Sequence, residues 1–90
     1  MDMIKIPADF GIDDEHLVQI DLEGESGPHL YPPEYVVIES NALVVGDEIG
    51  VRVASYPYHA YEQLADSSWQ FKSKVGNYIL KQGPSLDSSF

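Results

Sequence analysis

No apolar run in this chain exceeds four residues, and that punctuation constrains the fold more than any other feature. Turn-forming or chain-breaking clusters recur along its length: Gly24-Glu25-Ser26-Gly27-Pro28, Ser40-Asn41, Gly46-Asp47-Glu48, Gly76-Asn77 and Gly83-Pro84-Ser85, with Pro32-Pro33 holding the segment after it extended. Glycine tolerates backbone conformations closed to other residues, proline removes a donor and fixes φ, and Asn, Asp and Ser bond to their own backbone. Several of the intervals left, such as 34–39, 42–45 and 78–82, are too short for an average helix of about 11 residues but suit strands of about 5 or 6.

The intervals also read as strands in detail. Met3-Ile4-Lys5-Ile6 is a short candidate strand stopped by Pro7, and Ala8 to Glu15 reads as a loop. From His16 to Glu23 the chain alternates, with Val18, Ile20 and Leu22 on one face and Gln19, Asp21 and Glu23 on the other. Period two with β-branched residues predicts a half-buried strand. Tyr35-Val36-Val37-Ile38 is apolar on both sides, as a central strand is. Leu43–Val45 and Ile49–Tyr56 are predicted as a hairpin across the Gly46-Asp47-Glu48 turn, with Ile49, Val51 and Val53 alternating against Gly50, Arg52 and Ala54.

Beyond Pro57 two patterns compete. Ala60, Leu64, Ser68, Phe71 and Val75 recur at helical spacing, whereas Asp66-Ser67-Ser68 favours a turn and Trp69 and Phe71 alternate as strand residues do. The sequence predicts a short helix near Tyr58–Ala65, then a hairpin from Trp69 to Gln82 that turns at Gly76-Asn77. Residues 1–82 form a single β-rich domain on this reading, and 83–90 a C-terminal tail. The expected architecture is mainly β, or β-rich α+β: a small antiparallel barrel or two-sheet sandwich of six to seven short strands with at most one short helix.

Charge decides which functions fit. The ninety residues carry 15 carboxylates against 5 Lys and Arg, a formal −10. Residues 1–45 hold ten acids against Lys5 alone; residues 46–90 hold five against Arg52, Lys72, Lys74 and Lys81. Such a surface repels phosphate backbones and anionic membranes, so direct binding to nucleic acid or membrane is not expected, while a basic protein is steered toward it. The absence of cysteine excludes disulfides and thiolate chemistry. No segment reaches the roughly 18 apolar residues of a membrane helix, and the N-terminus lacks a secretory signal pattern, so a cytoplasmic protein is expected.

Catalytic and metal motifs are poorly supplied. Asp13-Asp14-Glu15-His16 is the densest ligand cluster, but consecutive residues on an extended chain point to alternate sides, and a solvated acidic loop is the plainer reading. Asp21-x-Glu23-Gly24-Glu25 resembles a calcium loop only superficially, since Gly falls at the fourth position and Pro32 at the twelfth. His16, His29 and His59 share no metal-ligand spacing, and neither a Gly-x-Ser-x-Gly elbow nor a phosphate-binding glycine loop occurs. No enzyme, metal or cofactor is expected.

Tyr56-Pro57-Tyr58-His59-Ala60-Tyr61 is an amphipathic aromatic patch with two readings, closure of a small core or a partner site. The function that joins these observations is protein binding. A rigid, negative module can occupy a groove built for phosphates, as a nucleic-acid mimic of the phage anti-defence or immunity-protein kind would. Its expected contacts are Asp13, Asp14, Glu15, Asp21, Glu23 and Glu25, displayed as one continuous sheet-borne face, with Tyr58 and Tyr61 as aromatic anchors. The rivals are a self-associating structural subunit of a virion or other assembly, and a small-molecule or peptide-binding barrel using the tyrosine patch.

Overall fold

The computed structural model describes residues 10–87 in full and 3–5 as backbone. Ile6 and Pro7, at which the sequence ends the first strand, and Ser88 to Phe90 of the tail lie outside the described residues. Among the described residues nine strands follow one another as β1 (Met3–Lys5), β2 (His16–Leu22), β3 (His29–Tyr31), β4 (Val36–Glu39), β5 (Ala42–Gly46), β6 (Arg52–Pro57), β7 (Ala60–Gln63), β8 (Trp69–Lys72) and β9 (Tyr78–Ser85), with a 3-10 turn at Pro33–Tyr35. They form two antiparallel sheets, one ordered β1-β4-β5-β6 and the other β3-β2-β9-β8-β7. The molecule is a mainly β two-sheet sandwich.

Alternation does what the sequence predicts in β2, where Val18 and Ile20 are fully buried. They meet Val36, Leu43 and Val45 from the four-stranded sheet and Phe71, Tyr78 and Leu80 from β8 and β9. Phe10 and Ile12, from a segment that reads as an acidic loop, also enter this core. Burying a side chain of this size contributes about 1.5–3 kcal/mol, which explains why the loop folds inward between its acids.

Four expectations need correction. Tyr58–Ala65 is not helical: Ala60–Gln63 is strand β7, paired with β8 from Ala60↔Lys72 to Gln63↔Trp69. The turn beyond it decides the outcome. Ser67 takes a positive φ of 72°, Ser67 N–H donates to Leu64 C=O and Leu64 N–H to Ser68 C=O, and the Asp66 carboxylate accepts from the Ser68 N–H and hydroxyl. Those bonds close a tight β7–β8 turn, and the bond from Leu64 N–H to Ser68 C=O runs opposite to a helical one, so a helix cannot make it.

The second correction concerns β6, which starts at Arg52 rather than Ile49. Asp47 closes the preceding loop, its carboxylate accepting from Ile49 N–H (3.1 Å) and Val51 N–H (2.8 Å). A bulge between Val45 and Gly46 then resets the register. Ala54 and Tyr56 face the core, and Val51 and Val53 stand 51% and 57% exposed. One inserted residue exchanges the faces of everything beyond it.

Third, the strand count is higher than six or seven, because β3 and β7 form on short segments that flank turns. Fourth, Gly83-Pro84-Ser85 does not end regular structure, since β9 runs on to Ser85. The β2–β9 register shifts between His16 and Val18, so Gly83 and Pro84 lie at a bulge, a place where sheets accept both residues. A Cβ on Gly83 would stand 3.0 Å from the Leu17 carbonyl oxygen, so only glycine fits without displacement.

Candidate protein-binding surfaces

The loop between Phe10 and β2 carries Asp13, Asp14 and Glu15. Asp13 anchors it: its carboxylate accepts from Glu15 N–H at 2.9 Å, His16 Nδ1 lies 2.6 Å away, and its own N–H donates to Gln82 Oε1 at 3.2 Å. The His16 contact, with the backbone bond, holds the Asp13 carboxyl below the usual range. Glu15 C=O accepts from Leu86 N–H at 2.8 Å, which fastens the chain beyond β9 to the same loop. Asp14 and Glu34 line a cleft of about 430 Å³ with Pro32, Pro33 and Leu86. Partial burial, with the neighbouring carboxylates of Glu34, Glu48 and Asp47, pushes the Tyr35 phenol above its ordinary value.

Asp14, Glu15, Glu34, Asp47 and Glu48 therefore gather at one end of the sandwich. Among the described residues no cation stands within ion-pairing distance of any of them. Glu34, Asp47 and Glu48 escape sequence reasoning because they come from separate turns. The available signal is that turns place their polar side chains at the ends of a sandwich.

The remaining acids do not join this group. Asp21 points outward from the middle of β2, bonded to Gln19 Nε2 at 3.0 Å and 3.5 Å from Lys81 Nζ. Glu23 and Glu25 lie at the far end of β2, in the turn toward β3, where Glu25 stands 3.3 Å from His29. Glu39 pairs with Arg52 at 2.8 Å and Glu62 with Lys72 at 3.5 Å. The acids of the first half thus form no continuous sheet-borne face. Alternation sends only every second side chain of β2 outward, and the acids beyond it lie on turns at opposite ends.

The tyrosines close the core and also reach the surface. Tyr58 packs edge-on against Phe71 at 5.0 Å, its hydroxyl donating to Ser40 C=O at 3.4 Å, and burial raises its phenol pKa. Tyr61 stacks on Phe71 at 5.3 Å and meets Phe10 edge-on at 5.5 Å, yet is 48% exposed because β7 ends its sheet. Tyr58, Pro57, His59 and Val75 line an open apolar groove of about 370 Å³. A second groove shares Pro57 and Val75 with it and is lined by Glu23, Glu25 and Tyr56.

Of the eight sequence-predicted contacts, Asp13, Asp14 and Glu15 are brought together at the acidic end. Glu23, Glu25 and Tyr58 are brought together along the paired grooves. Tyr61 joins the second group only through its edge-on contact with Tyr58 at 5.7 Å, and Asp21 belongs to neither.

Among the described residues no group of three or more His, Asp or Glu side chains is placed to hold a metal ion, and no helix is long and apolar enough to cross a membrane. No family model, curated protein or solved structure matches the chain.

Proposed function

We propose that this protein is an acidic protein-binding module that inhibits a nucleic-acid-handling protein by occupying its basic, phosphate-binding surface. The observation that carries the reading is the gathering of Asp14, Glu15, Glu34, Asp47 and Glu48 at one end of the sandwich without a cation partner among the described residues. Uncompensated carboxylates cost little while solvated and attract a basic surface at long range. Pro32, Pro33 and Leu86, between Asp14 and Glu34, supply an apolar patch for close contact.

The reading asks for no catalytic group, cofactor or metal. A cytoplasmic setting goes with it, as does a role of the phage anti-defence or immunity-protein kind, because the proteins that handle nucleic acid work there.

The test is capture of a partner from cell lysate on the immobilised protein at low and high salt, against a triple variant Asp14→Lys, Glu34→Lys, Glu48→Lys. The expected result is a basic nucleic-acid-handling protein that is retained at low salt, is displaced by duplex DNA and is lost in the variant. Retention that persists at high salt and in the triple variant overturns the reading.

A further inference from the structure

Sheets that end in water need their margins managed, because a free edge offers backbone donors and acceptors to any passing strand. Three of the four margins here are obstructed. β1 is only three residues long, β3 is bracketed by Pro28 and Pro32, and β6 carries the bulge opposite Gly46 and ends at Pro57. β7 differs. Ala60–Gln63 contains neither proline nor bulge, its register with β8 is unbroken, and all four residues are exposed. The bond from Leu64 N–H to Ser68 C=O sets the phase of that ladder. Ala60 and Glu62 direct their backbone groups to β8, and Tyr61 and Gln63 direct theirs outward.

We propose that two copies of this protein pair through β7, antiparallel about a two-fold axis at Glu62, so that their five-stranded sheets become one. Charge selects a second copy as the occupant. Residues 59–74, the β7–β8 ribbon and its flanks, carry Glu62 and Asp66 against Lys72 and Lys74, a formal charge of zero in a chain of −10. A basic partner finds no attraction there, and two like-charged copies meet there with the least repulsion. In the antiparallel register Tyr61 faces Gln63 of the second copy. Four backbone hydrogen bonds form, each copy applying the same residues to the other. The half-exposed Tyr61 rings, backed by Phe71 and Trp69, gain cover from the added strand. The two Glu62 side chains meet near the axis, each with its own Lys72 at 3.5 Å. An interface this small is weak and reversible.

Sedimentation equilibrium over a wide concentration range tests the pairing. The wild type is expected to form a dimer that tightens with added salt, because screening relieves the repulsion between two −10 molecules. Glu62→Gln removes the like-charge contact at the axis and is expected to tighten the dimer several-fold. Gln63→Pro deletes an outward donor without touching the bonds to β8 and is expected to leave a monomer with unchanged circular dichroism. A wild type that stays monomeric at millimolar concentration overturns the proposal, as does a dimer that Gln63→Pro leaves intact. The outcome is separable from the inhibitor reading, since partner capture at the acidic end weakens with salt and is insensitive to Gln63→Pro.

Discussion

The Tyr78 hydroxyl donates to the backbone carbonyl of Tyr56 at 2.6 Å, tying the five-stranded sheet to the last strand of the four-stranded one. The same ring lies parallel to Phe71 at 5.2 Å, and the Tyr56 hydroxyl bonds in turn to that of Tyr31. Tyr56, part of the binding patch that the sequence suggests, is therefore also a tie between the two sheets.

Tyr78→Phe keeps the ring and removes the bond. The expected cost is about 1 kcal/mol, the net worth of a hydrogen bond whose acceptor keeps its place in the β5–β6 ladder. Urea unfolding should show a lower midpoint with an unchanged slope. A midpoint equal to that of wild type would mean that the tie contributes nothing to stability.

Gly83→Ala should destabilise by about 1–3 kcal/mol, because the new methyl meets a backbone carbonyl that cannot swing aside. The closest atoms are Leu17 O at 3.0 Å, Gln19 Cβ at 3.3 Å and Leu30 Cδ2 at 3.3 Å. Thermal melting measures the loss, and an unchanged melting temperature would show that the bulge relaxes freely.

Asp47→Ala removes the acceptor for the Ile49 and Val51 amides. Amide hydrogen exchange should accelerate at those two positions while the β4–β5 ladder keeps its protection, and global stability should fall by about 1–2 kcal/mol. Equal acceleration across β4 and β5 would make the turn a determinant of the whole sheet.

Opposing effects of pH should be visible in one titration. Mild acidification from pH 7 relieves self-repulsion as the charge of −10 shrinks toward the pI of about 4.3, so the melting temperature should rise down to about pH 5. Asp66, through its bonds from Ser68, and Asp13, through His16, have folded values below the ordinary 3.8. Their contribution is present above that value and is lost as pH falls through the folded one, which reverses the trend in acid. At the alkaline end, burial raises the phenols of Tyr56 and Tyr78 above 10.0. The stability they give is complete below pH 10 and is lost as the pH climbs beyond it. Phenolate absorbance should report these two only as the chain unfolds. A melting temperature that falls steadily from pH 7 to about pH 5 would mean that the carboxylates are paired rather than crowded.

Legibility followed the range of the interaction that decides each element. β2 is written in its own alternation, and the Gly46-Asp47 turn in its own residues. The orientation of Val51 and Val53 is not, because a bulge between strands sets it and no local pattern encodes a register shift. Phe10 and Ile12 read as loop because their neighbours are acidic. The helical spacing of Ala60, Leu64 and Phe71 yielded to the Asp66–Ser68 turn and to pairing with β8. The acidic end was half visible: Asp13-Asp14-Glu15 is a run in sequence, while Glu34, Asp47 and Glu48 join it only through the meeting of separate turns.

β9 lies in the middle of its sheet, between β2 and β8, although it comes last in chain order among the described strands. Until residues 78–85 are in place, the β2–β3 pair and the β7–β8 pair have no strand to link them. Assembly of this layer therefore waits for β9, and its rate is governed by β2–β9 contacts far apart in sequence. Any fragment that stops short of β9 meets the cell's quality control with Val18, Ile20 and Phe71 uncovered.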